Sequence, residues 1–535
     1  MDSKRPLLPG DRAHDGTFSP RRLGATTDNT EEPLPTDTAW AVAFKANVII
    51  TVLSALYFGG TGVAALNDGR SLAAGDDGRR LSSSGYDDGG GGGGGGGLLF
   101  LALAFAGVIF IGWAFVGFIL LVVTRCSRQI LQVAYLGFAG AAGVATVSAL
   151  FTGHWLAWIL PALSCAWCLR FFLKRQSRIR FSSANLKVAA LAVKSMPWTI
   201  RAALIMGGVQ MLWVLLSAAA AGGSVFALQT VTAPGGTVYA ASACHNVRDG
   251  GSAGSGRLSC QCHEETVAYN SPCVYDGGAV SFWLAAFWVA SLVWGAAVFQ
   301  NVVTATVTGS VASWWFSPGD VDPVRGALHR ATQRSFGSLC KAAAVSTAVR
   351  LFVGAARRIS KAGRWASFLL DWVQNVVDYA LAYAICFISI YGLSFSQAGQ
   401  RVSELFKRRG VTTIANDVVV DVGFAALILG AALFYVAAAW LLLSVFVTAG
   451  TYAAGLVWTI LVFGLFVVAI VVATTLEVVR SSYKAVFVCF VQDPEALAKN
   501  HDRQTYDELS RAWREMQAEC VGMVSNPGYS GIEDV

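Results

Sequence analysis

The segment Phe299 to Phe316, FQNVVTATVTGSVASWWF, carries Gln300, Asn301, Thr304, Thr306, Thr308, Ser310 and Ser313 inside a hydrophobic run that begins near Val280. In hydrocarbon an unpartnered polar side chain costs on the order of a few kcal/mol, so each of these groups needs a partner. Gln300, Thr304 and Thr308 recur at steps of four and stack on one helix face, beside a small-residue stripe of Ala305, Gly309 and Ser313. Small residues let a second helix approach closely. The polar stripe then either bonds that helix, with Thr also able to bond its own preceding turn, or borders a wet permeation path.

A second group lies in DWVQNVVDYALAYAICF, where Asp378 is the ionisable residue best placed to sit within a span and Tyr379 and Tyr383 are one turn apart. A carboxylate and two phenol faces suit an organic cation, through charge and cation–π attraction. The same residues also suit an aromatic belt at the outer interface, with Asp378 merely hydrated. Gln300, Asn301, Thr304, Asp378, Tyr379 and Tyr383 are the candidate substrate-binding residues.

Catalytic chemistry is poorly served. There are six histidines, no His-x-Glu-x-x-His metal pair, no carboxylates paired on one helical turn and no phosphate-cradling Gly loop after a strand. No enzyme activity, cofactor, metal site or nucleic-acid partner is expected. Four of the eleven cysteines, Cys244, Cys260, Cys262 and Cys273, share the longest loop. An even number in an oxidising compartment favours two disulfides stapling a Gly-rich lid, with the pairing left open. A zinc site on Cys260, Cys262 and His263 would lack the usual two-residue spacer.

These groups must be positioned by helices in a bilayer. The chain is 55% hydrophobic and only 14% charged, with a mean hydropathy of +0.53, against about 25% charged residues in soluble domains. Its apolar runs approach the roughly 20 residues that cross a bilayer as helix. The expected fold is an all-α polytopic membrane protein of about ten transmembrane helices, with spans at 40–66, 98–124, 129–151, 154–173, 198–228, 280–316, 333–354, 371–396, 417–447 and 453–476. The sixth run exceeds one hydrocarbon thickness, so it tilts, kinks near Gly309 or extends beyond the bilayer. Glu477, just after the last span, is expected to be solvated.

Lys and Arg in short loops set the orientation. Arg125 and Arg128, RFFLKRQSRIR, Arg325 to Arg334 and RVSELFKRRG mark cytoplasmic loops, which puts both termini in the cytoplasm. RRISKAGR, Arg357 to Arg364, breaks the rule unless the seventh span is re-entrant. The layout is a disordered cytoplasmic tail at 1–39, a transporter domain at 40–476 and a cytoplasmic tail at 477–535. Within the domain, 67–97 is a Gly-rich extracytoplasmic linker and 229–278 the extracytoplasmic Cys loop. Residues 1–39 show no cleaved signal peptide, so the first span is expected to direct insertion. Ser177 to Ser195 is read either as a helix lying on the inner interface or as a connector helix.

Several stretches together resemble the choline transporter-like family. Gln300, Asn301, Val302, Gly309, Ala312, Ser313, Trp314 and Phe316 are similar to its QNV…G…asWwF signature. Gly337, Ser338 and Leu339, then Tyr391, Gly392, Ser394, Phe395, Ser396 and Ala398, then VFVCFVQDPEAL with Tyr506, are similar to its later elements. The resemblance implies a ten-span carrier moving choline or a related, ethanolamine-like amino alcohol by alternating access, embedded in membrane lipid, most simply the plasma membrane. Three positions depart from the pattern. Lys341 replaces a small or apolar residue, Gln492 an acid, and Asp378 an Asn. A different class of function is a non-transporting scaffold that acts through its cytoplasmic tail.

Overall fold

The computed structural model describes residues 36–73, 94–150, 176–227, 278–319, 322–359, 364–409, 412–448 and 454–524, with scattered positions at 162–170 and the strands between 230 and 276. The α-helices are α1 (Thr38–Ala73), α2 (Gly94–Leu150), α3 (Gln176–Ser195), α4 (Trp198–Ala227), α5 (Gly278–Phe316), α6 (Pro323–His329), α7 (Phe336–Ile359) and α8 (Arg364–Tyr391). They continue as α9 (Phe395–Arg409), α10 (Thr412–Thr448), α11 (Ala454–Gln492), α12 (Glu495–Asn500) and α13 (Arg503–Val524). Among the described residues seven helices are long and apolar enough to cross a membrane. The chain is thus a helical polytopic membrane protein. In lipid a helix satisfies every backbone polar group within its own segment.

The expected tail at 1–39 lies outside the described residues up to 35, as does most of the expected span 154–173, and so do 74–93 of the expected linker. Helices α1 and α2 take in the linker's two ends. The expected break between the second and third spans falls at Cys126, where φ −119° and ψ 21° leave the helical range and α2 is two helices joined across a kink. Helix α5 runs unbroken through Gly309; its 39 residues rise roughly 1.5 Å each and outreach the hydrocarbon core. Gly309 instead lets α6 and α8 close in, since a Cβ there would stand 3.2 Å from Ala327 Cβ and 3.7 Å from the Ser389 carbonyl oxygen. Helix α7 is continuous and of spanning length. Of the basic cluster at its C-terminal end, Arg357 is paired with Asp371 of α8.

The Cys loop holds two small antiparallel sheets. One has the order β2-β1-β6, from β1 (Thr230–Thr232), β2 (Val238–Ala240) and β6 (Tyr275–Asp276). The other has the order β3-β4-β5, from β3 (Cys244–Arg248), β4 (Leu258–Cys262) and β5 (Glu265–Ala268). Cys260 and Cys262 are two apart on β4 and share a face. Register sets Cys244 opposite Cys262, and these form one disulfide; Cys260 bonds Cys273. Both candidate zinc thiolates are therefore consumed. The sheets themselves were not foreseen, because strands of two to five residues are too short to show periodicity.

Helix α3 is a packed connector, with Asn185, Ala189, Ala190 and Ala192 fully buried. Asn185 Nδ2 donates to the Tyr483 carbonyl of α11 at 3.1 Å. Helix α13 docks on the same elements: the Trp513 ring meets Phe181, Phe487 and Phe490 at centroid distances of 5.1, 6.1 and 5.7 Å. The exposed pairs Arg180–Glu515 and Lys187–Glu508 flank it. Such surface pairs are worth about 0–1 kcal/mol, so the ring cluster dominates the docking.

Helices α1 and α4 approach closely at Gly223, where a Cβ would overlap the carbonyl oxygen of Phe58, while Gly222 faces open space. Gly223→Ala is expected to cost about 1–3 kcal/mol by overpacking, and Gly222→Ala to be neutral or slightly stabilising. Paired thermal melts in detergent check this; equal midpoints would remove the close approach as a constraint.

Candidate functional site

Helices α5, α7, α8, α10 and α11 surround a cavity of about 280 Å³, near the lower end of the 300–1,000 Å³ usual for small-molecule sites. Gln300, Asn301, Thr304, Asp378 and Tyr379 all line it. Tyr383 does not. Its ring is buried below, packed edge-on against Phe406 and Phe487. One helical turn is enough to carry it from the wall into the core.

The polar stripe on α5 divides into two uses. Thr306, Thr308 and Ser310 donate to the carbonyls four residues back, at 2.7, 2.8 and 2.6 Å. Asn301 Nδ2 donates to the Leu339 carbonyl of α7 at 3.1 Å, so it holds a neighbouring helix while also facing the cavity. Gln300 and Thr304 remain directed to the cavity wall.

Six charged residues line the same space: Arg350, Arg480 and Lys484 against Asp378, Asp421 and Glu477, so the formal charges cancel. Asp378 lies 3.6 Å from Arg350 Nη2 and accepts a bond from Ser346 Oγ at 3.4 Å. The cation it meets here belongs to the protein. Arg480 bridges Asp421 at 2.8 Å and Glu477 at 3.2 Å, and Tyr379 Oη donates to Asp421 Oδ2 at 2.7 Å. Glu477 is thus part of the cavity rather than a solvated residue at a helix end. The ammonium of Lys484 sits 5.4 Å from the Tyr379 ring centroid and 6.0 Å from that of Tyr383. Each ring attracts it by about 0.5–2 kcal/mol, whereas desolvating an ion costs several kcal/mol, so the rings alone do not balance its burial.

Exposure falls in the same direction along four of the five walls. On α5 it drops from exposed Gln300 to buried Thr304 and Thr308; on α8 from exposed Asn375 through Asp378 to buried Ile385. Helix α11 goes from half-buried Glu477 and Arg480 to buried Lys484, and the oppositely running α7 from exposed Arg350 to buried Ser346 and Ala342. The exposed end of the cavity is therefore the one nearer the start of α5, and the buried end lies toward Thr308.

Below the floor the bundle is sealed. Thr308 and Ser389 share a hydroxyl bond of 2.6 Å, and Arg330 Nη2 donates to Ser313 Oγ at 3.4 Å. Trp315 Nε1 donates to the Asp493 carbonyl at 3.1 Å, and Asn500 Nδ2 to the Trp315 carbonyl at 2.9 Å. Asp37, just before α1, accepts from Ser338 Oγ at 2.8 Å, Lys341 Nζ at 3.1 Å and the Phe395 amide at 3.1 Å. Lys341 therefore points away from the cavity and does not oppose a cation in it. A Cβ at Gly337 would overlap the carbonyl oxygens of Thr36 and Asp37, which explains the need for glycine there.

Sequence reasoning missed Arg350, Asp421, Arg480, Ser481 and Lys484. The spacing Glu477, Arg480, Lys484 puts three charges on one helix face, and that was the available signal.

The family profile described as plasma-membrane choline transporter matches residues 159–495, more than half of the chain. A CTL-like protein of Dictyostelium discoideum is 25% identical over 380 residues, covering 68% of this chain and 58% of that protein. Protein PNS1 of Gibberella zeae is 25% identical over 271 residues, 47% of this chain and 49% of that protein. Protein PNS1 of Eremothecium gossypii is 28% identical over 240 residues, 40% and 42% respectively. The chain thus spans about half the length of the curated relatives it matches. The profile's span takes in every residue that walls the cavity, and on that match the chain belongs to the plasma-membrane choline transporter family.

Proposed function

We propose that this protein carries choline or an ethanolamine-like amino alcohol across the plasma membrane by alternating access, through ten spans with both termini cytoplasmic. The observation that carries this reading is the one-sided cavity, polar and small, lined by exposed residues at one end and buried ones at the other. With the basic loops facing the cytoplasm, the exposed end lies on the outer side, an outward-open arrangement. Gln300, Asn301, Thr304, Asp378 and Tyr379 form the substrate site, and Tyr383 supports it from below. A quaternary ammonium donates no ordinary hydrogen bonds, so the Tyr379 face and the Asp378 carboxylate are the groups that suit it.

The test is uptake of radiolabelled choline by liposomes containing the purified protein. Asn301→Ala and Tyr379→Ala are each expected to lower uptake at least about tenfold, the loss of roughly 1.4 kcal/mol of stabilisation. Tyr379→Phe keeps the ring but drops the bond to Asp421, and is expected to fall between. Undiminished uptake in both alanine variants rules this site out.

A further inference from the structure

We propose that Lys484 makes the cavity floor an anion subsite, so that the amino alcohol is bound together with one negative group and not as a bare cation. This rests on the substrate site above and adds a second ligand chemistry to it. Lys484 is only 8% exposed and lines the cavity. An ammonium carries three donors and no acceptor. Its contacts among the described residues are the faces of Tyr379 and Tyr383.

The carboxylates that would ordinarily neutralise it are engaged elsewhere. Asp378 is held by Arg350 and Ser346, Asp421 by Arg480 and Tyr379, and Glu477 by Arg480. Among the described residues no carboxylate lies within ion-pair distance of Lys484. Thr304 and Ser481 line the same cavity and carry hydroxyls that can donate. A buried charged donor beside hydroxyls, with its protein counter-charges taken, is complementary to a small anionic group with several acceptor sites. The resident ammonium lies against the same rings, so it stands close to a quaternary ammonium held on Tyr379. A ligand presenting only positive charge would be repelled there; an added negative group turns that repulsion into attraction.

Two sources supply the same chemistry: a halide bound alongside choline, or the carboxylate or phosphate of a zwitterionic amine. Purified full-length protein in detergent is titrated with chloride against a gluconate background, with glycine betaine and with phosphocholine, reading the thermal midpoint. Labelled choline binding is measured in parallel. If a halide is the source, choline binds at least about tenfold more tightly in chloride than in gluconate, the equivalent of one charge-assisted hydrogen bond. If a zwitterion is the source, glycine betaine or phosphocholine binds at least about tenfold more tightly than choline, whatever the background anion. In either case Lys484→Gln abolishes the anion effect and Lys484→Arg keeps it.

Choline binding that ignores chloride, with no midpoint shift from either zwitterion, overturns the subsite and leaves the choline site standing. Anion shifts that depend on Lys484 without any choline binding support the subsite and reject choline as the ligand. Tighter choline binding by Lys484→Gln in both backgrounds overturns the subsite, because Lys484 would then merely occupy the cation's place.

Discussion

Replacing Asp37 by Ala is expected to destabilise the folded protein by about 3 kcal/mol, because a carboxylate bond to a charged or backbone donor is worth about 1.5–3 kcal/mol and three donors converge here. The estimate is kept below the sum of three because Lys341 is 30% exposed and can turn to water when its partner is lost. Losing Asp37 unfastens three elements at once: the entry to α1, the first turns of α7 and the start of α9. Burial by itself raises the Asp37 pKa, but the bonds from Ser338, the Phe395 amide and Lys341, with the charge of Lys341, more than offset it and hold it below the ordinary carboxylate value. A carboxyl with a depressed folded pKa stabilises the fold above its unfolded value of about 3.9 and loses that contribution as pH falls through the folded value. The difference in melting midpoint between the wild type and Asp37→Asn should therefore be full at pH 7 and shrink below about pH 4. A difference that stays constant down to pH 3 would show that the charge of Asp37 contributes nothing.

The same residues show where the sequence was legible. Gln300, Asn301 and Thr304 were readable because a polar stripe at steps of four within an apolar run has one geometric meaning, an interior helix face. Asp378 was readable as an ionisable group inside a span and Tyr379 as an aromatic beside it, while Tyr383 was not, since neighbouring helices and not its own period decided whether it faced cavity or core. The charged half of the site was hidden by hydropathy itself. The last apolar run was ended at residue 476 because Glu477, Arg480 and Lys484 follow, yet α11 continues to Gln492. Those charges do not stop the helix, because Asp421 from α10 and the ring of Tyr379 from α8 meet them. Partners that lie some 60 to 100 residues away leave no local trace. The Gly337 to Leu339 element was legible as a pattern, but its purpose needed the carbonyls of Thr36 and Asp37 beside it.

Arg480→Met is the other substitution expected to have a large effect. Breaking a fully buried ion pair costs about 3–5 kcal/mol and an exposed one about 0–1 kcal/mol. Arg480, Asp421 and Glu477 are 35%, 30% and 32% exposed, so the expected cost lies between these limits, at about 2–3 kcal/mol. Most of that cost comes from leaving two carboxylates on the cavity wall without their shared cation. Asp421→Asn introduced together with Arg480→Met should then recover part of the loss, with a coupling of about 0.5–3 kcal/mol in a double-mutant cycle. Strict additivity in the cycle would mean that the bridge is geometric only. A second consequence ties this network to the cavity floor. Tyr379 stands between the two groups, with its hydroxyl on Asp421 and its ring beneath Lys484. Releasing Asp421 from Arg480 frees a carboxylate on the wall that also carries Lys484, which has no carboxylate partner among the described residues. In Arg480→Met the protein's own carboxylate should therefore satisfy Lys484, and the stabilisation by added anions should weaken. An anion effect of undiminished size in that variant would mean that Arg480 does not keep the floor positive.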